Sequence, residues 1–216
     1  MRFRHVAMFP CKIGVGDGIL FNILYMPTRK DAGEGERMKA HDPKLSGPCP
    51  ELLEAYADFC RETWGHVHDS YILHDPEKYG EWRHTIFEDY RRAEAGIGLP
   101  PGIVPSATYW IMDGECCVGV ANIRPRLNEA LEVYGGHIGV CIRPSKRGRG
   151  YARAANTALF AEAKCLGIRE LLITCTADNL PSLRAIEAMP GWRIECDEIF
   201  LRGIKTGIRR YRRPLE

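Results

Sequence analysis

The sequence predicts an α/β fold in which a mixed, twisted sheet of about six to seven strands carries helices on both faces. Three observations predict it. Apolar residues first recur at helical spacing, and the pattern then changes to that of strands. The apolar run from Leu171 to Cys175 has a branched centre, which is typical of a strand covered on both sides. The elements follow the order of two helices, three strands, a helix, a strand, a helix and two strands.

The first two elements are amphipathic helices. Residues 49–64 carry apolar side chains at helical spacing, with Pro50 and Glu51 in the first turn. Residues 76–95 repeat this pattern. The stretch from Gly96 to Pro105 cannot continue a helix, because its successive prolines lack N–H donors and push the preceding residues into extended conformations.

The following elements are mainly strands. Residues 107–112 and 116–123 flank Asp113 and Gly114, a pair typical of a tight hairpin turn. A polar loop at 124–136 leads to a third strand at 137–142. The remaining elements are a helix ended by Gly167, the buried strand, a second helix and two final strands, predicted at 149–166, 171–175, 179–189, 192–200 and 204–211.

Composition limits the classes of protein. The chain has 216 residues, 45% of them hydrophobic and 27% charged, which is an ordinary balance for one globular domain. No uninterrupted apolar run of about 18 residues exists, and the start lacks the pattern of a signal peptide. The nine cysteines show no C-x-x-C spacing, so we expect reduced thiols and no metal site. These features predict a cytoplasmic protein without a membrane segment.

Two segments are predicted. Residues 1–44 carry two glycine clusters and a polar stretch, and form an N-terminal extension of uncertain structure. Residues 45–216 form the folded domain, although Met38 could also be the natural start.

Charge is distributed unevenly despite a net charge of only +2. The segment from Cys141 to Arg153 contains five basic residues and no acid. The segment from Arg202 to Arg213 contains six basic residues and also no acid. Acidic residues collect upstream, at 51–62 and 75–94. The first basic segment lies where a buried strand ends and a helix begins.

That junction predicts an anion site. The first N–H groups of a helix lack internal partners, the helix dipole adds positive charge, and glycines let an anion approach the main chain. Residues 147–152 follow the pattern R-x-x-G-x-A and lack the G-x-x-x-x-G-K of a magnesium-dependent phosphate loop. A pyrophosphate bound without metal is the expected ligand.

The stretch HIGVCIRPSKRGRGYA at 137–152 resembles the acetyl-coenzyme A signature of the GNAT superfamily of N-acetyltransferases. The helix beginning at Asn179, with Ser182 and Glu187, is similar to the Asn-led helix of that family. The segments VPSATYW, NIRPRLNE and YGGHIG, at 104–110, 122–129 and 134–139, resemble an uncharacterised bacterial branch of acetyltransferases. The resemblance covers roughly residues 45 to 213 and implies the GNAT fold.

The resemblance implies the contacts of acetyl-CoA. Main-chain groups of Cys141, Ile142 and Arg143 would pair with the pantetheine arm like an added strand, and the Ile142 amide would donate to the thioester carbonyl. Asn179 would bond the arm where two strands splay apart, and its helix neighbour Ser182 would belong to the same site. The pyrophosphate would rest on the N–H groups of Arg147, Gly148, Arg149, Gly150, Tyr151 and Ala152.

The implied reaction requires a base and, in many relatives, an acid. His137 can titrate near neutrality and would lie above the splay, with Glu132 just before it, so we predict His137 as the base and Glu132 as a further candidate. Alternatively, His137 is a packing residue and Glu132 a solvated charge. The family's acidic tyrosine is replaced by Ile186, so Tyr151, Tyr134 or water would protonate the thiolate.

We therefore expect transfer of an acetyl group from acetyl-CoA to a primary amine by direct attack, with a small molecule favoured over a protein as acceptor. A cationic amine would suit the acidic residues Glu129 and Glu132. An acetyl-CoA-binding sensor of weak activity remains open because of Ile186, and a nucleic-acid binder is a weaker alternative. The histidines at 66, 68 and 74 are interpreted as surface residues. No membrane or nucleic-acid partner is expected, and a homodimer is compatible with this function.

Overall fold

The computed structural model describes residues 43–65, 73–201 and 203–215. The predicted extension therefore lies outside the described residues except for its last two positions, and so do His66 and His68. The elements are, in order, β1 (Lys44–Ser46), α1 (Leu53–Thr63), α2 (Tyr79–Trp82), α3 (Ile86–Ala95), β2 (Ala107–Asp113), β3 (Cys116–Ile123), α4 (Glu129–Val133), β4 (Ile138–Ile142), α5 (Tyr151–Cys165), β5 (Glu170–Thr176), α6 (Leu180–Glu187), β6 (Arg193–Leu201) and β7 (Ile204–Pro214). The α/β class and the number of strands are confirmed.

The strands form two antiparallel sheets, of order β1-β2-β3-β4 and β5-β7-β6. The edge strands β4 and β5 meet near their starts, where Gly136 forms a bridge with Ile173 and the His137 N–H donates to the Leu172 carbonyl at 2.8 Å. Gly136 has a φ of +65°, and a Cβ there would lie 2.5 Å from the Leu172 oxygen. Only glycine therefore allows the close approach that joins the sheets.

Helices cover both faces, as predicted. On one face α5 and α6 pack on the strands around Leu159 and Leu171, which are fully buried. On the other face α1 and α3 cover β2 and β3, and the Tyr56 ring stacks on Trp110 with centroids 4.5 Å apart. The two apolar clusters hold the four-stranded sheet between them.

Three elements differ from the prediction. The strand β1 pairs with β2 through Lys44, Leu45 and Ser46, a run too short to show a period. The predicted polar loop contains α4, which begins where the Asn128 side chain accepts a hydrogen bond from the Leu131 N–H at 3.0 Å. The predicted helix at 76–95 is divided in two, because the chain turns after Trp82, closed by a hydrogen bond from the Thr85 N–H.

The surface interpretation of His74 is wrong. Its ring is half-buried against Trp82 and Tyr90, and its Nδ1 lies 2.8 Å from the Tyr56 hydroxyl. Burial lowers the pKa of His74 to about 4.

Within residues 43–65, 73–201 and 203–215, no group of three His, Cys, Asp or Glu side chains could hold a metal. In the same ranges, no helix combines the length and apolar character needed to span a bilayer.

Candidate active site

The segment after β4 folds into a glycine turn that leads into α5. Residues 144–146 make one 3-10 turn, Arg147 is extended, and Gly148 and Gly150 have φ values of +74° and +85°. Gly150 is the N-cap of α5, makes no side-chain capping bond, and no acid stands in the first turn of this 15-residue helix. This end of α5 therefore has no side-chain cap and no acid, which suits the predicted anion site.

The two glycines are needed for their backbone conformation and not because the space is filled. A Cβ placed at Gly148 or at Gly150 would meet nothing within 4 Å. The outer side of the turn is therefore open, while the left-handed φ values disfavour other residues. Open space beside exposed N–H groups suits the approach of a phosphate group.

Basic side chains surround this turn. Lys146, Arg149 and Arg153 have no ion-pair partner among the residues that the structure describes. The half-buried Arg147 donates from Nε to the Ile142 carbonyl at 3.0 Å. The turn consequently combines helix-terminal N–H groups with cations whose charge is not neutralised nearby.

The outer edge of β4 faces the gap between the sheets. The Arg143 N–H donates to Val118 and the Arg124 N–H donates to His137, so the odd-numbered residues pair with β3. Since hydrogen bonding alternates along an antiparallel strand, the main-chain groups of Ile138, Val140 and Ile142 point away from β3.

Of the three predicted pantetheine contacts, the structure therefore brings only Ile142 to the open edge. The main-chain groups of Cys141 and Arg143 are used in the ladder with β3. The sequence analysis did not name Val140, whose main-chain groups point away from β3 like those of Ile142. The alternation of hydrogen bonding along a strand indicates this residue.

Arg143 turns its side chain away from the glycine turn. Its guanidinium is 9% exposed, with Nε 2.7 Å from Glu62 and Nη2 3.0 Å from Asp58, both on α1. Burial alone would lower the pKa of Arg143, but the two carboxylates raise it. Sequence reasoning missed these two acids, because they lie more than 80 residues away in the chain.

Asn179 and Ser182 lie where the chain leaves β5. The Asn179 side chain accepts a hydrogen bond from the Ser182 N–H at 3.3 Å and so caps α6. Both side chains are buried. This local cap explains why an asparagine begins the helix, and it places both residues at the end of β5, on the far side of the gap from β4.

His137 contacts β5 through its ring as well as its main chain. Its Nδ1 accepts a hydrogen bond from the Leu172 N–H at 2.9 Å. In a neutral ring the hydrogen then lies on Nε2. Burial lowers the pKa of His137, against a smaller opposing influence of Glu132. The His137 ring nitrogen thus serves as the hydrogen-bond acceptor of the Leu172 N–H.

The other catalytic candidates have different partners from His137. Glu132 is paired with Arg212, with Oε2 and Nη2 at 3.1 Å. The buried Tyr151 donates its hydroxyl to Asp113, and burial and this carboxylate raise the pKa of Tyr151 to about 12. Tyr151 begins α5 beyond the end of β4, and His137 precedes its start, so about 17 Å of strand separates them along the chain.

Ile186 is 2% exposed and packs in the cluster under α5 and α6. Its carbonyl accepts a hydrogen bond from the Trp192 indole at 2.9 Å. Tyr134 is also buried, in a small cluster with Leu201 and Ile208. An apolar core residue thus occupies the position where the resemblance implies a tyrosine acid.

Two sheets thus part at neighbouring edge strands, and a basic glycine turn at a helix N-terminus follows. The sequence model of the acetyltransferase (GNAT) domain matches residues 50–189. The chain belongs to this family, and membership supports acetyl transfer as the general reaction. No curated protein matches the chain in sequence.

Solved structures share the fold at low sequence identity. A probable acetyltransferase has a TM-score of 0.58 and 17% identity, over 82% of this chain and 96% of that chain. The microcin C7 self-immunity acetyltransferase MccE, in complex with acetyl-CoA and AMP, has a TM-score of 0.55 and 14% identity, over 81% and 93%. YncA of Salmonella typhimurium, with its cofactor acetyl-CoA, has a TM-score of 0.54 and 13% identity, over 81% and 95%.

Proposed function

We propose that this protein transfers an acetyl group from acetyl-CoA to the primary amine of a small molecule by direct attack. The observation that carries the proposal is the uncapped glycine turn at the start of α5, to which the outer edge of β4 leads. Around it lie cations without an ion-pair partner in the described parts of the chain. This arrangement can bind a pyrophosphate and an extended arm in one continuous groove.

The residues present fit acetyl-CoA. The N–H groups from Gly148 to Ala152 would hold the pyrophosphate, whereas the Arg147 N–H donates to the Pro144 carbonyl at 3.3 Å. The outward groups of Val140 and the Ile142 N–H would pair with the arm, because the Ile142 carbonyl accepts a hydrogen bond from Arg147 Nε. Asn179 and Ser182 would bound the arm on the β5 side. When bound, acetyl-CoA supplies a thioester carbonyl that a neutral amine can attack, and the Ile142 N–H would donate to such a carbonyl.

The base remains a prediction. In the neutral His137 ring the nitrogen that can accept a proton is Nδ1, and it accepts the hydrogen bond of the Leu172 N–H. The ring must therefore release the Leu172 N–H before it takes up a proton. A variant with His137→Asn tests the assignment. A base role requires a large fall in kcat and loss of the acidic limb of the pH-rate profile, whereas a packing role lowers thermal stability and leaves that limb in place.

The acceptor is tested with a panel of amines. Purified protein is incubated with acetyl-CoA and polyamines, aminoglycosides, amino acids or peptides, and release of the CoA thiol is measured. A small cationic amine is the expected acceptor. Exclusive activity on protein N-termini or protein lysines would overturn the small-molecule assignment.

A second candidate function is an acetyl-CoA sensor. The buried Ile186, in place of a tyrosine acid, favours it. Proximity alone lowers a barrier by several kcal/mol, so the missing acid is compatible with catalysis. Acetyl-CoA binding by calorimetry without CoA release from any amine would favour the sensor.

Free thiols at all eight described cysteines support the proposed cytoplasmic location.

A further inference from the structure

The carboxylate of Glu62 joins α1 to the start of the glycine turn. Its Oε2 accepts a hydrogen bond from Arg143 Nε at 2.7 Å, and its Oε1 accepts one from the Ser145 main-chain N–H, also at 2.7 Å. Arg143 is the last residue before the 3-10 turn, and Ser145 lies within it. One side chain on α1 therefore holds both the entry and the middle of this turn.

Arg143 is itself enclosed. Besides Glu62, its guanidinium contacts Asp58 at 3.0 Å and donates to the Cys117 carbonyl at 3.2 Å. With a side chain 9% exposed, it cannot rotate toward solvent without breaking these bonds. The guanidinium thus fixes the Glu62 carboxylate from one side. The second carboxylate oxygen is held in position to accept the hydrogen bond from the Ser145 N–H.

We propose that Glu62 is a positioning residue for the cofactor turn, and that it raises the affinity for acetyl-CoA without touching it. The inference rests on the proposed function. Residues 144–146 lead directly into Arg147, whose N–H donates to the Pro144 carbonyl at 3.3 Å, and then into the N–H groups from Gly148 onward that would hold the pyrophosphate. Holding Ser145 limits the conformations of this entry before the ligand arrives, and a preordered site loses less entropy on binding.

The chemistry of a carboxylate is needed for both contacts. A carboxylate accepts at both oxygens, whereas an amide accepts at one and turns its NH2 group toward the other donor. Glu62→Gln therefore keeps the shape of the side chain. Because Arg143 directs two charged donors at one oxygen, the amide oxygen faces Arg143 and the NH2 group faces Ser145, so the Ser145 bond is lost. Asp58→Asn is the matched control, because Asp58 contacts the same guanidinium and has no hydrogen bond to Ser145.

The experiment measures acetyl-CoA binding by calorimetry and the KM and kcat for a reactive amine. We expect Glu62→Gln to raise Kd and the KM for acetyl-CoA about tenfold, the equivalent of one charge-assisted hydrogen bond, with kcat within about twofold. Asp58→Asn should change Kd less than about threefold. Equal affinity of wild type and Glu62→Gln would overturn the inference, whereas a wild type that does not bind acetyl-CoA would overturn the proposed function itself.

A second variant separates positioning from an unpaired buried charge. Glu62→Gln leaves Arg143 short of a charged partner, which alone destabilises the fold. The double variant Glu62→Ala with Arg143→Met removes both charges and the Ser145 bond, and should regain stability in urea unfolding while still binding acetyl-CoA about tenfold more weakly. Wild-type affinity in this double variant would show that the Ser145 contact does not set affinity, and the proposal would be wrong.

Discussion

Two arginine-rich segments of this chain look alike in sequence and differ in the folded protein. The first is the basic turn, residues 141–153, and the second is the basic strand, residues 209–213 within β7. In the basic strand, Arg209 pairs with Glu187 at 3.0 Å, and Arg210 pairs with Asp197 at 3.1 Å. In the basic turn, Lys146, Arg149 and Arg153 have no such partner within the described parts of the chain.

The remaining arginines extend the contrast. Arg212 lies among Glu132, Glu170 and Glu195, at 3.1, 3.3 and 3.5 Å, and the Arg213 guanidinium lies over the Phe160 ring at 5.3 Å. In the basic turn, Arg143 alone pairs with acids among the residues that the structure describes. Positive charge in a sequence therefore indicates an anion site only where the fold leaves that charge without a carboxylate partner. The basic strand offers little unpaired charge to a nucleic acid, which disfavours that alternative.

The largest expected effect comes from a carboxylate inside the basic turn. Gly150→Glu should weaken acetyl-CoA binding by about 100-fold or more in calorimetry, because it places like charge beside the pyrophosphate and strains a left-handed residue. Gly203→Glu is the matched control. Gly203 has a φ of +78° and equally open surroundings in the turn between β6 and β7. Binding by Gly150→Glu within threefold of wild type would contradict the assignment of the turn.

Neutralising two arginines in each segment tests the contrast directly. Arg147→Gln with Arg149→Gln should weaken acetyl-CoA binding about tenfold and reduce its dependence on salt concentration. Arg209→Gln with Arg212→Gln should leave the affinity within about twofold, since both side chains are occupied by acids. If the β7 variant lost affinity to the same degree, the distinction between the two segments would fail.

For the free energy of unfolding, we expect the larger effect from the basic strand and the smaller effect from the basic turn. Arg212→Gln should lower the free energy of unfolding by about 1 kcal/mol in urea titrations, because its 21% exposed side chain joins three carboxylates. Glu170 and Glu195 keep ion pairs with Arg193, whereas Glu132 loses the ion pair with Arg212. Arg149→Gln should change the free energy of unfolding by less than about 0.5 kcal/mol. A destabilised Arg149→Gln with an unaffected Arg212→Gln would reverse the comparison.

The smallest effect concerns pH. The Glu198 N–H and Arg210 lower the pKa of Asp197 below its ordinary value in the folded protein. A depressed folded pKa contributes stability above the unfolded pKa, and this contribution is lost as pH falls through the folded value. Between about pH 5 and pH 3, the melting temperature of Asp197→Asn should therefore fall less than that of wild type. Arg149→Gln should follow the wild-type profile, and parallel profiles for Asp197→Asn would show that this pair contributes nothing.

Much of the site could be predicted because its signals are local. The glycine turn before α5 follows from residues within one segment, and so does the cap that Asn179 forms on Ser182. The direction of main-chain groups along β4 was not predicted, because it depends on which residues of β3 stand opposite. The short α4 carried a capping signal at Asn128 that sequence reasoning passed over in a polar stretch.

By itself, the sequence determined the α/β class, the order of most elements, the glycine turn at the start of α5 and the family resemblance. Those features depend on periodicity and turn chemistry, which act between neighbours in the chain. Only the tertiary structure decided which arginines are neutralised, that the His137 ring bonds the Leu172 amide, and that Glu62 holds the entry of the glycine turn. The reason is that these contacts join residues between 13 and 85 positions apart, and packing alone brings them together.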